Sequence, residues 1–181
     1  GEICAIMDED WCHVVRTAPA AAVAMRVLAL KGASTMAMLG AGDTARAAVP
    51  VMAKAFALKE IRVTSRTPES RQNYAKEVGR EYGLNIRPVE STEEALKGAE
   101  IVVSATTTSV PIVKHSWLSE GVTAYSIGKN QEMESDVYKK ADKFVVDSWP
   151  HCKNKSHMQR LLKDNFLSEK DLYAVLPELL C

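Results

Sequence analysis

The sequence predicts an α/β fold, a doubly wound Rossmann-type parallel sheet with flanking helices. Three observations carry that expectation. The apolar run Ser34-Thr35-Met36-Ala37-Met38-Leu39 ends in Gly40-Ala41-Gly42-Asp43-Thr44-Ala45, a Gly-x-Gly-x-x-Ala turn. An alanine-rich segment follows in which Ala47, Ala48, Val51, Met52, Ala55 and Phe56 recur at helical spacing. Beyond it, segments of strand and helix pattern alternate, which argues for parallel strands joined by right-handed crossovers.

Each element has its own local reason. Arg16 to Leu30 is rich in alanine and reads as helix, with Pro19 near its start. Gly40 allows a tight turn, Gly42 allows close backbone approach to a pyrophosphate, and Ala45 is small enough for the helix to pack on the strand. Asp43 and Thr44 are short polar groups at a helix start. Pro50 either kinks that helix or sits in its early turns. Lys59 to Arg66 alternates as a second strand. Thr67 caps a helix over 68–82 with Pro68 in its first position and Gly83 at its end. Asn85 to Val89 reads as a short strand. Ser91 and Glu94 form a capping box, and Gly98 closes that helix. Glu100 to Ala105, Gly121 to Gly128 and Lys143 to Ser148 read as strands, the last of the chain. His151 to Cys181 is polar and then helical. The expected organisation is an entry segment and helix over 1–30, a dinucleotide-binding unit over 31–150 and a C-terminal helical segment over 151–181.

Composition narrows the function. The chain has 181 residues, enough for one sizeable core. Lysine plus arginine equals aspartate plus glutamate at 23 each, so net charge argues for neither nucleic-acid nor membrane partners. No apolar run reaches spanning length. Cys4, Cys12, Cys152 and Cys181 are scattered without a Cys-x-x-Cys pair, and free thiols in a reducing cytoplasm are expected. His151, Cys152 and His157 match no standard zinc spacing, so no metal is expected. The first residues, Gly1-Glu2-Ile3-Cys4, read as a fragment boundary.

The expected cofactor positions at the glycine turn are Gly40, Ala41, Gly42, Asp43, Thr44 and Ala45. About 20 residues further on, an NAD-binding unit places an acid against the ribose 2′-hydroxyl. Here Ser65, Arg66 and Thr67 stand there, without a carboxylate. Hydroxyls can donate to a 2′-phosphate, and Arg66 can pair with it, so NADP(H) is favoured over NAD(H). Ser70 joins this group, while Glu69 is read as a helix-start acid. Ala105, Thr106 and Thr107 at one strand exit, and Ser126, Ile127 and Gly128 at the next, are expected at the carboxyl edge beside ribose or nicotinamide. Catalytic residues are not identified.

In order and spacing, these residues resemble the ornithine cyclodeaminase/mu-crystallin family. Arg16-Thr17-Ala18 resembles its Arg-Thr-Ala-Ala signature, with Pro19 in the last place. The Gly40 turn, Ser65-Arg66-Thr67-Pro68-Glu69, Ala105-Thr106-Thr107, Trp117-Leu118 with Gly121, Ser126-Ile127-Gly128, and Ala141-Asp142 with Val145-Val146-Asp147-Ser148 follow in family order. The resemblance implies a nicotinamide cofactor and interconversion of small amino acids with imines or keto acids. It implies that Arg16 binds the substrate carboxylate and Thr17 touches the cofactor phosphates. The family is longer than this chain. Its substrate and dimerisation domain is built mostly from the segment preceding this one, so a homodimer through a part not in this chain is implied.

Two departures bear on chemistry. Cyclodeaminases carry an acid/base aspartate just after the strand that resembles Ser126-Ile127-Gly128. Here Lys129-Asn130-Gln131-Glu132 follows, with Asn130 nearest the acidic place, and asparagine cannot transfer that proton. Lys129 or Glu132 could substitute for that acid, but each is read first as a solvated loop charge. Thr44 replaces the family's usual Gln. An NADP(H)-dependent oxidoreductase acting on a small amino-acid-derived imine is therefore the leading expectation. An NADP(H)-binding protein with weak or no catalysis is the alternative, and a cyclodeaminase releasing ammonia a further one. A cofactor domain of a shikimate dehydrogenase or glutamyl-tRNA reductase fits less well, because Arg16-Thr17-Ala18 precedes the first strand.

Overall fold

A computed structural model describes residues 2–128 and 130–180. Five parallel strands, β1 (Thr35–Leu39), β2 (Glu60–Thr64), β3 (Ile86–Pro88), β4 (Ile101–Ser104) and β5 (Thr123–Ser126), form one sheet in the order β3-β2-β1-β4-β5. From β1 the chain winds outward through β2 to β3. It then crosses back to β4 on the other side of β1. That reversal is the topological switch point, and the carboxyl ends of β1 and β4 flank it.

Helices cover both faces. Against one face lie α1 (Asp10–Leu28), α2 (Asp43–Ala55) and α3 (Pro68–Tyr82). Ala18, Ala22 and Met25 of α1, Ala45, Ala48, Val49 and Met52 of α2, and Tyr74 and Val78 of α3 bury against Met36, Met38, Ile61, Val63, Ile101 and Val103. Against the other face lie α4 (Thr92–Leu96) and α5 (Ser135–Lys139), whose Ala95, Leu96 and Val137 pack on Ala37, Leu39 and Val102. The alternation of faces along β1 and β4 follows from the two-residue period of a strand.

The local signals act as read for α3. Thr67 Oγ1 accepts from Ser70 N at 3.3 Å, and Gly83 closes the helix at φ +65°. Ser91 Oγ accepts from Glu94 N at 3.1 Å, but the Glu94 carboxylate reaches back to Glu90 N rather than to Ser91. Two expectations are corrected, and at Pro50 one of two alternatives falls away. The first helix begins at Asp10, not near Arg16, so Pro19 lies inside it. The acids Asp8, Glu9 and Asp10 favour a start there through the helix dipole. Pro50 is interior to α2 rather than in its early turns. The strand β6 (Phe144–Val146) is not the last. It pairs in parallel with β7 (Leu172–Val175) as a separate two-stranded sheet. Between them run α6 (Trp149–Cys152) and α7 (Ser156–Lys163) around Phe144, Trp149, Met158, Leu161 and Leu167.

No helix among the described residues is long and apolar enough to cross a membrane. Cys4, Cys12 and Cys152 are free thiols.

Candidate functional site

The site starts from the β1–α2 turn at the switch point. Gly40 has φ +108°, and a Cβ there would stand 2.3 Å from the Ala105 carbonyl oxygen. Only glycine fits, and it lets the β1 and β4 exits lie side by side. Gly40 N donates to Thr64 O at 2.9 Å, which ties the turn to β2. Gly42 is different: its φ is −86°, and a Cβ there would meet nothing within 4 Å. The space over the turn is open. Arg46 N donates to Gly42 O at 3.0 Å as the first bond of α2. The amides of Asp43, Thr44 and Ala45 precede it and have no partner one turn back, so they stand at the positive end of the helix. Ala41 is half-buried against the helical layer. Ala45 is fully buried, and its carbonyl accepts from the Tyr74 hydroxyl at 2.8 Å. Burial pushes the Tyr74 phenol up, with the Arg46 guanidinium over its ring working the other way.

At the β2 exit the predicted group is only partly free. Ser65 Oγ donates to Thr67 O at 3.0 Å, and Thr67 Oγ1 shares a 2.7 Å hydrogen bond with Ser70 Oγ. These hydroxyls shape the start of α3. Arg71 braces the exit by donating to Ser65 O at 3.3 Å. Arg66 is exposed and makes no hydrogen bond or ion pair among the described residues. It is the cation of this rim, and Glu69 lies in the first turn of α3 as expected.

The β4 and β5 exits hold the feature that sequence reasoning missed. Glu132, read as a solvated loop charge, is 0% exposed. Its Oε1 accepts from Thr106 N at 2.7 Å and from Thr106 Oγ1 at 2.6 Å. Its Oε2 accepts from Ser126 Oγ at 2.7 Å and from Gly128 N at 2.9 Å. Four donors replace the water the carboxylate gives up, which is why it can be buried. Burial first, and then the Glu132 charge, push the Tyr138 phenol up to about 12. The clamp also changes the reading of Gly128. A Cβ there would stand 2.4 Å from Glu132 Cδ, so the missing side chain makes room for the carboxylate.

The neighbours are placed by the same clamp. Ile127 N donates to Ser104 O at 2.7 Å and its side chain packs on the helical layer. Ala105 N donates to Leu39 O at 2.8 Å, and Thr107 is exposed. Asn130 Nδ2 donates to Thr108 O at 2.8 Å. Lys129 lies outside the described residues.

Arg16 and Thr17 sit on α1, which packs along α2. Arg16 is 64% exposed. Its guanidinium lies 3.0 Å from His13 Nδ1 and 3.8 Å from Glu9 Oε1. Thr17 Oγ1 donates to His13 O at 2.6 Å, inside its own helix. Among the described residues, no hydrogen bond joins either residue to the glycine turn. Among the described residues no three His, Cys, Asp or Glu side chains converge as metal ligands.

The comparisons with known proteins agree with this geometry. The rat ketimine reductase mu-crystallin (Rattus norvegicus) is 28% identical over 182 residues, 98% of this chain and 55% of that protein. The N-((2S)-2-amino-2-carboxyethyl)-L-glutamate dehydrogenase of Staphylococcus aureus is 26% identical over 178 residues, 97% of this chain and 53% of that protein. The solved Δ1-pyrroline-2-carboxylate reductase of Thermococcus litoralis, in complex with NADH and L-proline, superposes with a TM-score of 0.89 at 29% identity. That match covers 95% of this chain and 55% of the other. The chain thus spans about half the length of the curated relatives it matches. The model of the ornithine cyclodeaminase/mu-crystallin family matches residues 1–176, and the chain belongs to that family.

Proposed function

We propose that this chain is the coenzyme-binding part of an NADP(H)-dependent oxidoreductase. Its reaction interconverts a small amino acid with the corresponding imine or ketimine. The observation that carries the reading is the β1–α2 turn, where open space over Gly42 meets the unpartnered amides of Asp43, Thr44 and Ala45 at the switch point. A diphosphate suits that corner, since backbone N–H groups and the helix dipole both favour an anion. A dinucleotide on it spans the carboxyl edge from the β2 exit to the β4 and β5 exits. When bound, the coenzyme supplies or accepts the hydride.

The chain's own residues then bind and orient. The N-terminal amides of α2 receive the diphosphate. Arg66 stands at the β2 exit, where a 2′-phosphate would lie, and no carboxylate occupies the ribose position between Ser65 and Thr67. With Ser65 and Thr67 engaged in capping, the preference for NADP(H) rests on Arg66. Arg16 can hold a substrate carboxylate in a fork once it leaves Glu9 and His13. The reading is supported by the ketimine reductase and pyrroline-carboxylate reductase relatives.

Titration of NADPH and NADH against the protein, followed by coenzyme fluorescence, tests the reading. NADPH is expected to bind at least about tenfold more tightly, which is about 1.4 kcal/mol. Arg66→Asp should remove that advantage and leave NADH binding intact. Equal affinity in the wild type would refute the phosphate preference. No binding of either coenzyme would refute the whole reading.

One observation favours a second reading, coenzyme binding without turnover. Asn130 occupies the place nearest the cyclodeaminase acid, and all four contacts of the Glu132 carboxylate use it as an acceptor. Neither is arranged to deliver a proton. Reduction of cyclic ketimines with NADPH by the full-length protein separates the two readings.

A further inference from the structure

We infer that Glu132 is a positioning residue. It turns the hydroxyls of Thr106 and Ser126 into acceptor-only groups, so that this end of the site takes a hydrogen-bond donor from its ligand. This rests on the coenzyme reading above, and it names the chemistry by which the nicotinamide end is recognised.

Each hydroxyl is limited by its single proton. A hydroxyl has one proton to donate and two lone pairs to accept with. Thr106 gives its proton to Glu132 Oε1 at 2.6 Å, and Ser126 gives its proton to Glu132 Oε2 at 2.7 Å. What each can still offer is a lone pair. An anion placed against them is repelled, and so is a carbonyl oxygen. An N–H or O–H is welcome. Of the groups at the nicotinamide end of a dinucleotide, the carboxamide NH2 is the donor these lone pairs take, whereas a phosphate does not fit.

The clamp also fixes position. Glu132 binds Thr106 N on the β4 exit and Gly128 N on the β5 exit with one carboxylate. Its own backbone carbonyl accepts from Ile112 N at 2.8 Å and Val113 N at 3.1 Å, so the residue is held from behind. The two hydroxyls therefore stand at a separation set by one rigid group. Among the described residues, no hydrogen bond joins Glu132 to Gly42 or Arg66 at the adenosine end of the site.

Glutamine cannot replace it. Each oxygen of Glu132 faces one backbone N–H, that of Thr106 or that of Gly128. Whichever way an amide were turned, its NH2 would oppose one of them, and a backbone donor cannot reverse its role. Glu132→Gln thus releases at least one hydroxyl to donate again.

The test compares whole and truncated ligands on the 181-residue chain. In Glu132→Gln, affinity for NADPH should fall at least about tenfold, while affinity for 2′-phospho-ADP-ribose, which lacks the nicotinamide, stays within about twofold. The oxidised 3-acetylpyridine analogue of NADP replaces the carboxamide NH2 with a methyl and so has no donor there. Wild-type protein should prefer NADP over it several-fold, and Glu132→Gln should narrow that preference. If Glu132→Gln fails to fold, Ser126→Ala carries the same comparison, because it removes one acceptor and keeps the other three donors of the clamp. Parallel loss of both NADPH and 2′-phospho-ADP-ribose would make Glu132 a structural clamp only and overturn the inference. So would a wild type that binds the acetylpyridine analogue as well as NADP. A wild type that binds no coenzyme at all is a different result, since it removes the coenzyme reading itself.

Discussion

Gly40 and Gly42 look equivalent in the motif and differ in what they meet. A side chain at Gly40 would run into backbone, 2.3 Å from Ala105 O, at φ +108°. Gly40→Ala should therefore lower the unfolding free energy by at least about 2 kcal/mol, counting left-handed strain and the shift of the β4 exit. A side chain at Gly42 would enter open space at an ordinary φ of −86°. Gly42→Ala should leave stability within about 1 kcal/mol, yet weaken coenzyme binding at least tenfold if the diphosphate approaches this turn as proposed. Urea denaturation and coenzyme titration on the two variants read both halves. Stability losses of equal size would show that Gly42 too serves the fold. The need for glycine at position 40 was legible in the sequence because it is local, set by a tight turn between a strand and a helix. Glu132 was not. Its burial depends on the exits of β4 and β5 arriving side by side, and nothing within a few residues of it signals that. The one available hint was Gly128, four places before it, whose bareness admits the carboxylate. At Ser65 and Thr67 the sequence marked the segment that follows β2 but not the use of the hydroxyls, which α3 takes for its own start.

At the scale of elements, two carboxylates clamp the main sheet from opposite edges. Glu100 at the start of β4 uses a single oxygen, Oε2, to accept from Ser34 N at 2.8 Å and Thr35 N at 3.0 Å at the start of β1. These amides hold its carboxyl below the usual range. Glu132 uses both oxygens at the other edge. The difference predicts different tolerance. In Glu100→Gln the amide can present its carbonyl to both N–H groups. Stability should stay within about 1 kcal/mol, the margin between a charged and a neutral acceptor, and coenzyme affinity should stay within about twofold. A large affinity loss in Glu100→Gln would mean that any disturbance of the sheet reaches the site, and would weaken the special place given to Glu132. Element boundaries were legible where a chemical stop exists. Thr67, Pro68 and Gly83 frame α3 to the residue. The start of α1 was obscured because Pro19 suits a first turn, although the acids at 8–10 marked the true one. The strand β7 was hidden because four residues after a short turn carry no periodicity, and their partner β6 lies far back in the chain.

For the whole molecule, the layer built by β6, α6, α7 and β7 has its own small core and its own sensitivity to acid. His157 on α7 is buried, and its Nδ1 has no hydrogen-bond partner among the described residues. Burial first, then the cations of Lys155 and Arg160, hold its imidazole below the ordinary value of 6.5. The folded state thus prefers the neutral ring, while the unfolded chain takes up a proton near that value. The stability His157 lends is complete above pH 6.5 and is lost as pH falls through its lowered folded value. Asp171, next to β7, adds a second step further down. Lys139 Nζ at 2.8 Å, then the hydroxyl and amide of Ser168, each also at 2.8 Å, draw its carboxyl down from 3.8 to about 2. Its contribution is complete above about pH 4 and is lost between there and about pH 2. Both groups lie in or against the same layer, so acidification below pH 6.5, felt first at His157, should loosen residues 144–175 while the five-stranded sheet stays closed. Hydrogen exchange, corrected for the intrinsic pH dependence of the amides, should show protection falling in β6 and α7 and holding in β1 and β4. His157→Leu, an apolar side chain without a titrating group, should abolish the step that begins below pH 6.5 and leave the Asp171 step below pH 4. A uniform loss of protection across both sheets would mean that the C-terminal layer unfolds only with the rest, and that its acid sensitivity is a property of one cooperative molecule.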